Sequence, residues 1–296
     1  MRVVSVGEIL WDLIGDKEFL GGAPFNLCAH LARLGHDAIF ISAVGDDERG
    51  RRALTQARKL GIDVRFISRT GAAKTGVSEV LLDEGGKATH RIPRPAAYDF
   101  VTLSDGEWGE LKALHPDWIC YGTLAQMETG PRALICRLCC ENPAVKRFYD
   151  INLRPRCWTP ELVEDLMTQA NSVKLNDEET TALARLFDWP VEPLEQFCGA
   201  AAERFSLELI CITRGADGCA LWREGQYVES PGFPVEVSDT VGAGDAFSAA
   251  LLHGLHQKWS LRETADFANR VGALVASRAG ATPVWSETEA RNLKRH

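Results

Sequence analysis

The chain has 296 residues, 45% hydrophobic and 25% charged, a balance that fits a globular protein with a large core and excludes a disordered or fibrous chain. Its 41 acidic against 33 basic side chains give a formal charge of -8 without a basic block, which argues against nucleic acid and for a small-molecule partner. Glu8 and Asp12 interrupt the N-terminal apolar run before it reaches signal or membrane-span length, so a cytoplasmic protein without membrane association is expected.

Strand-length apolar runs at 2–6, 38–44, 118–122, 147–151, 172–175 and 209–213 alternate with segments of helical period. The alternation predicts βαβ units around a buried parallel sheet. Between the first two strands Leu27, Leu31 and Leu34 lie at helical spacing with Gly35 as the stop, and Ala53, Ala57 and Leu60 repeat the device before Gly61. Residues 75–93 break the rhythm and read as two strands about the turn Glu84, Gly85, Gly86. Leu261, Ala265, Ala268, Gly272 and Val275 predict a late helix, following one that opens near Gly244. With no repeat and no Pro- or Ser-rich linker, one domain carrying a small β cover is expected.

Nine cysteines, scattered through apolar surroundings, read as reduced core thiols. Cys136 and Cys139 form a CxxC without a second pair, and His253 and His256 stand three apart without an acidic third ligand. Core packing is expected for the cysteines, and core or surface helix positions for the histidines, rather than metal.

The stretch DTVGAGDAFS, 239–248, carries the most chemistry. Consecutive small residues at a helix start let several backbone N–H groups converge on one anion, with the helix dipole adding positive charge. Asp245, one step further on, stands where a base would take the proton of a hydroxyl aimed at that anion, the geometry phosphoryl transfer needs. The same carboxylate also suits a plain helix cap. A dinucleotide fingerprint fits less well, because Phe247 stands where its third glycine belongs.

GGAPFNLCAHLARLG at 21–35, DINLRP at 150–155, KLNDEE at 174–179, TRGADG at 213–218 and DTVGAGDAF at 239–247 occur in one order that resembles the ribokinase-like, or PfkB, family of sugar kinases across essentially the whole chain. The resemblance implies a three-layer α/β/α core with a mostly parallel sheet, spanning 1–296 as a single domain, and a β lid formed from about 12–20 and 75–100. Family lids often pair between subunits, which makes a homodimer an expectation.

By the same resemblance, Gly242, Ala243 and Gly244 would hold the migrating phosphoryl group and Asp245 would activate the acceptor hydroxyl. Asp12, Gly21, Gly22 and Asn26 correspond to the family's sugar contacts, a short acid and an amide binding hydroxyls where glycine lets the backbone approach. Asn176 and Glu179 match an NxxE element that would hold Mg²⁺ through water, although acids there equally suit a helix first turn. Thr213, Gly215 and Gly218 match the nucleotide loop, and Lys174 and Asn269 fall where relatives approach ATP. Asp239, Thr240, Ser277 and Gly280 lie in segments where the family often holds K⁺ on carbonyls. Trp11 and Trp158 suit a sugar-site wall or a core equally well.

GEILWD, the GGAPFN form and DINLRPRCW look like the fructokinase branch, so ATP and fructose are the expected substrates. Arg154 keeps a sugar acid such as 2-keto-3-deoxygluconate open, because a guanidinium pairs bidentately with carboxylate; a surface salt bridge is its plainer use. A sugar sensor that kept the fold without the reaction is the alternative from another class.

Overall fold

The computed structural model describes residues 1–82 and 88–295, so the expected turn at Glu84, Gly85 and Gly86 lies outside the described residues. In chain order the strands and helices are β1 (Arg2–Val6), β2 (Leu10–Ile14), β3 (Lys17–Gly21), α1 (Ala23–Arg33), β4 (Asp37–Gly45), α2 (Glu48–Lys59), β5 (Ile67–Thr70), β6 (Gly76–Leu82), β7 (Ala88–Arg91), α3 (Asp105–Ala113), β8 (Trp118–Gly122), α4 (Thr129–Glu141), β9 (Lys146–Asp150), α5 (Pro160–Gln169), β10 (Ser172–Asn176), α6 (Asp177–Phe187), α7 (Leu194–Phe205), β11 (Leu209–Thr213), β12 (Cys219–Arg223), β13 (Gln226–Ser230), α8 (Ala243–His256), α9 (Leu261–Ala276) and α10 (Glu287–Asn292).

Among the described residues the strands form a nine-stranded sheet of order β13-β12-β11-β10-β9-β8-β1-β4-β5 and a four-stranded sheet of order β3-β2-β6-β7. From β11 to β5 all neighbours run parallel. The two-residue side-chain period of these buried strands divides the core between two faces. On β1, Val3 joins the cluster with α1, α2, α8 and α9, while Val4 and Val6 join the cluster with α3 to α7. On β11, Leu209 and Cys211 face the first layer, and Ile210 and Ile212 the second. The expected mostly parallel α/β sheet, with helices on both faces, is the one observed. All six strand-length runs form strands, and Gly35 and Gly61 end α1 and α2 with positive φ of 78° and 82°.

The antiparallel edge β12-β13 was not expected. β12 opens with the mostly buried apolar run 219–222, but β13 is mostly exposed or half-buried and mixed in polarity, so nothing apolar announces its partner. The signal was in the turn: Glu224 and Gly225 both take positive φ, as a two-residue hairpin loop requires.

In the smaller sheet, Asp12 pairs in register with Phe19 on one side and Ser78 on the other. Asp12, expected after the first strand at the start of the lid segment 12–20, lies within a strand that begins two residues earlier, with Leu10, Trp11 and Leu13 flanking it. Of the segments expected to form a cover, 12–20 and 75–100, the strands Leu10–Ile14, Lys17–Gly21, Gly76–Leu82 and Ala88–Arg91 supply the sheet, and Ala97–Phe100 is one 3-10 turn outside it.

The cysteine expectation holds for Cys28, Cys120, Cys139, Cys198, Cys211 and Cys219, which are buried. It fails for Cys136 and Cys140, which are exposed, and for half-buried Cys157. On α4 the inward positions are Ile135, Leu138 and Cys139, so 136 and 140, four apart, fall together on the outer face. His253 is buried against His36, with Nδ1 of His253 2.9 Å from Nε2 of His36, and His256 is exposed. No group of His, Cys, Asp or Glu among the described residues has the geometry to hold a metal ion.

Candidate active site

Six helices begin with a side-chain cap, from Asp47 for α2, Ser104 for α3, Thr159 for α5, Asn176 for α6, Ser260 for α9 and Ser286 for α10. Helices α1, α4, α7 and α8 have no cap from their own N-cap residue, and of these α1 and α8 are the glycine starts. They open at Gly22 and Gly242 with no side-chain cap, and both glycines line one cavity of about 290 Å³. Gly242 has φ of 79°, and an added Cβ would lie 2.3 Å from the carbonyl oxygen of Ala281. At Gly22, with φ of 113°, a Cβ would lie 2.4 Å from the carbonyl oxygen of Glu8. Only glycine allows both turns to press this closely on a neighbouring backbone.

The cavity brings together Asp12, Gly22, Asn26 and Arg154 with Lys174, Asn176, Glu179, Thr213, Thr240, Gly242, Gly244 and Asp245. It lies where β9, β10 and β11 end, the position at which open parallel sheets gather ligands. Asp245, 9% exposed in the first turn of α8, accepts a 2.8 Å hydrogen bond from Nδ2 of Asn26 in the first turn of α1. Burial, followed by repulsion from Asp150, lifts the Asp245 carboxyl to about 6, against the opposing pull of Lys174, Asn26 and Arg154. A carboxyl so placed is ionised at neutral pH yet basic enough to take a proton. Arg154 makes no salt bridge among the described residues, so its guanidinium remains available to the cavity it lines.

Two site features escaped the reading of the sequence. Asp150 and Lys174 are register partners on β9 and β10, and Nζ of Lys174 donates to both Asp150 oxygens at 2.8 and 2.9 Å. Ser248 of α8 also donates to Asp150, at 2.9 Å. Burial opposes the Lys174 charge, but the Asp150 carboxylate outweighs it and holds the ammonium above its ordinary range. The clue was a charge at a buried position in each of two apolar runs, Asp150 in 147–151 and Lys174 in 172–175, because such charges persist only in pairs. The second feature is Glu8, buried in the cavity wall, a carboxyl between Val6 and Leu10 that only a ligand or a buried partner accounts for.

Asn176 and Glu179 cap α6 reciprocally. Oδ1 of Asn176 accepts from the Glu179 N–H at 2.8 Å, and Oε2 of Glu179 accepts from the Asn176 N–H at 2.9 Å. Oε1 of Glu179 accepts from the Leu153 N–H at 2.7 Å. Both residues line the cavity, and with these oxygens engaged they suit water-mediated rather than direct contact with a cation. Asp239 is similarly engaged, its carboxyl accepting from the Val241 and Gly280 N–H groups, while Ser277 donates to the carbonyl of Leu274.

Other expected residues stand apart from the cavity wall. Nδ2 of Asn269 donates to the carbonyls of Ser230 and Pro231, fixing the exit from β13. Gly215 starts a 3-10 turn and Gly218 packs on the backbone of Ser230, beside wall residue Thr213. Gly21 abuts Asp12, where a Cβ would lie 2.7 Å from Oδ2. Ala243 is the first residue of α8. Trp11 and Trp158 do not wall the cavity: Trp11 is buried in the core and donates to the carbonyl of Arg49, and Trp158 packs against the other core face.

Comparison with known proteins agrees with this architecture. Residues 2–288 match the pfkB family carbohydrate kinase model. A fructokinase of Escherichia coli is 30% identical over 305 residues, spanning 95% of this chain and 94% of that one. A putative sugar kinase of Pyrococcus horikoshii is 30% identical, spanning 96% and 92%. Among solved structures, a fructokinase with bound ATP from Xylella fastidiosa superposes with a TM-score of 0.89 at 24% identity, covering 99% of this chain and 97% of that one. A 2-dehydro-3-deoxygluconokinase from Thermotoga maritima does so with 0.85 at 21% identity, covering 99% of each. No helix among the described residues is long and apolar enough to cross a membrane. With the family pattern running from the first strand to the last helix and fructokinases among its relatives, the chain belongs to the pfkB family of carbohydrate kinases, in its fructokinase-like branch.

Proposed function

We propose that this carbohydrate kinase transfers the γ-phosphoryl group of ATP to a hydroxyl of fructose, with Asp245 as the base. The observation that carries the reading is Asp245 itself, at the uncapped start of α8, hydrogen-bonded to Asn26 in the wall of a cavity that also presents Asp12 and Arg154. The Asp245 carboxylate takes the hydroxyl proton as the new O–P bond forms; the bond from Pγ to the β,γ-bridging oxygen breaks and ADP leaves. Amides of Gly242, Ala243 and Gly244 meet the charge on the phosphoryl oxygens. Asp12, Gly21, Gly22, Asn26 and Arg154 hold the sugar, and Lys174, Thr213, Gly215, Gly218 and Asn269 support the nucleotide side. Asn176 and Glu179 fit a hydrated Mg²⁺, which would neutralise the phosphates when bound; Asp239, Thr240, Ser277 and Gly280 form the candidate K⁺ segment. The four-stranded sheet is the lid, its closure excludes water that competes for the phosphoryl group, and its edge is the candidate dimer contact.

A sugar acid is the second reading, favoured by the unpaired Arg154 in the cavity wall. One experiment separates the two: ATP consumption measured with fructose, ribose, 2-keto-3-deoxygluconate, fructose 1-phosphate and nucleosides. Fructose is expected to give the highest kcat/KM, and Arg154→Ala to raise its KM roughly 10-fold, the worth of one charge-assisted hydrogen bond. Preference for the keto acid would make Arg154 a carboxylate ligand, and no turnover with any acceptor would return the sensor alternative.

A further inference from the structure

Glu8 is 4% exposed, yet no hydrogen-bonding partner meets its Oε2 atom. Its other oxygen, Oε1, accepts from the Ala23 N–H at 3.3 Å and so supplies α1 with the cap that Gly22 cannot. A neutral side chain would serve that structural purpose. Burying a carboxyl oxygen without a donor costs about 1–3 kcal/mol, so a bound state that supplies the donor is the natural account of its presence.

The surroundings indicate what that donor is. Glu8 lines the main cavity and also a recess of about 20 Å³ that adjoins it and shares Leu124, Asp150, Asn152 and Arg154 with it, enough for one hydroxyl-sized group. Oδ1 of Asn26, buried in the same wall, likewise has no donor. Two donor-less acceptors in one cavity wall are the complement of O–H groups. The charge of the wall points the same way: Glu8, Asp12, Asp150, Glu179 and Asp245 stand against Arg154 and Lys174, and Lys174 is already held by Asp150. An incoming carboxylate would meet Glu8 and Asp12 beside one free guanidinium.

We propose that Glu8 is a further specificity-determining residue: its unpaired oxygen accepts a hydrogen bond from a hydroxyl of a neutral sugar, and the same carboxyl repels an acidic acceptor. The inference rests on the sugar-kinase reading above and narrows its acceptor to a neutral polyhydroxylated sugar.

The test compares the wild type with Glu8→Gln and Glu8→Asp, using fructose as the neutral probe and 2-keto-3-deoxygluconate as the acid. Glu8→Gln keeps size and removes charge; KM for fructose should rise roughly 10- to 100-fold with little change in kcat. The preference for the neutral over the acidic acceptor should shrink at least about tenfold. Glu8→Asp keeps the charge but withdraws it, so KM should rise while the acid is still rejected. Calorimetric titration of fructose into the ATP-free proteins reads the same contact without catalysis, so it separates a failed Glu8 assignment from a failed kinase assignment. Unchanged fructose affinity and unchanged selectivity in folded Glu8→Gln would overturn the proposal, as would a wild type that prefers the acid.

Discussion

Asp245→Asn is expected to lower kcat by about 10²- to 10⁴-fold with little change in KM, because the amide keeps the shape and the contact with Asn26 but cannot take a proton. Its pH profile should disclose the same group. With the Asp245 carboxyl at about 6, kcat/KM of the wild type should fall tenfold per unit below that pH and level off above it. A stability readout must move in the opposite sense to activity. The folded carboxyl lies above its unfolded value, so the protonated form favours folding; that contribution is full below about 4 and is lost as pH rises through about 6. Asparagine removes the cost of the buried charge, and thermal or denaturant unfolding at pH 8 should show the variant more stable by about 1–3 kcal/mol, with the gain vanishing near pH 4. Turnover that survives intact would remove Asp245 from the role of base.

Lys174→Met is the second large effect. Among the described residues it leaves Asp150 in the interior with the Ser248 hydroxyl as its side-chain partner, and breaking a buried pair from one side typically destabilises by about 3–5 kcal/mol. Asp245 would report the change too. Lys174 pulls the Asp245 carboxyl down while Asp150 pushes it up, so without the ammonium the acid limb of the rate profile should move to higher pH. Pairing the substitution with Asp150→Asn should recover much of the stability, since no uncompensated charge then remains. Urea unfolding of the two single variants and the double variant measures the coupling directly. Additive effects would show that the pair is not a unit.

What the sequence revealed follows from how each feature is encoded. Strands β1, β4 and β8 to β11 are buried on both faces and appear as strand-length runs in which apolar residues predominate. β13 and the strand around Asp12 interleave polar with apolar residues, so turn chemistry or pairing partners mark them better than an apolar run does. Within the site, glycines beside an acid at a helix start carry their meaning locally, which is why 242–245 was readable. The Asp150–Lys174 pair needs the sheet order, and the donor-less oxygen of Glu8 needs the packing around it. Asn176-x-x-Glu179 stayed ambiguous because a reciprocal helix cap and a water-linked cation site use the same residue types at the same spacing.

The hydrogen bond between Asn26 and Asp245 joins positions 219 residues apart. At roughly 5–20 residues per second of synthesis, about 10–40 s pass between the emergence of one partner and of the other. A nascent chain therefore displays the residues proposed to hold the sugar long before it owns the carboxylate proposed to fire the reaction, and competence waits for α8 to dock. Release just before α8 would yield a fragment with every described strand and without the proposed base.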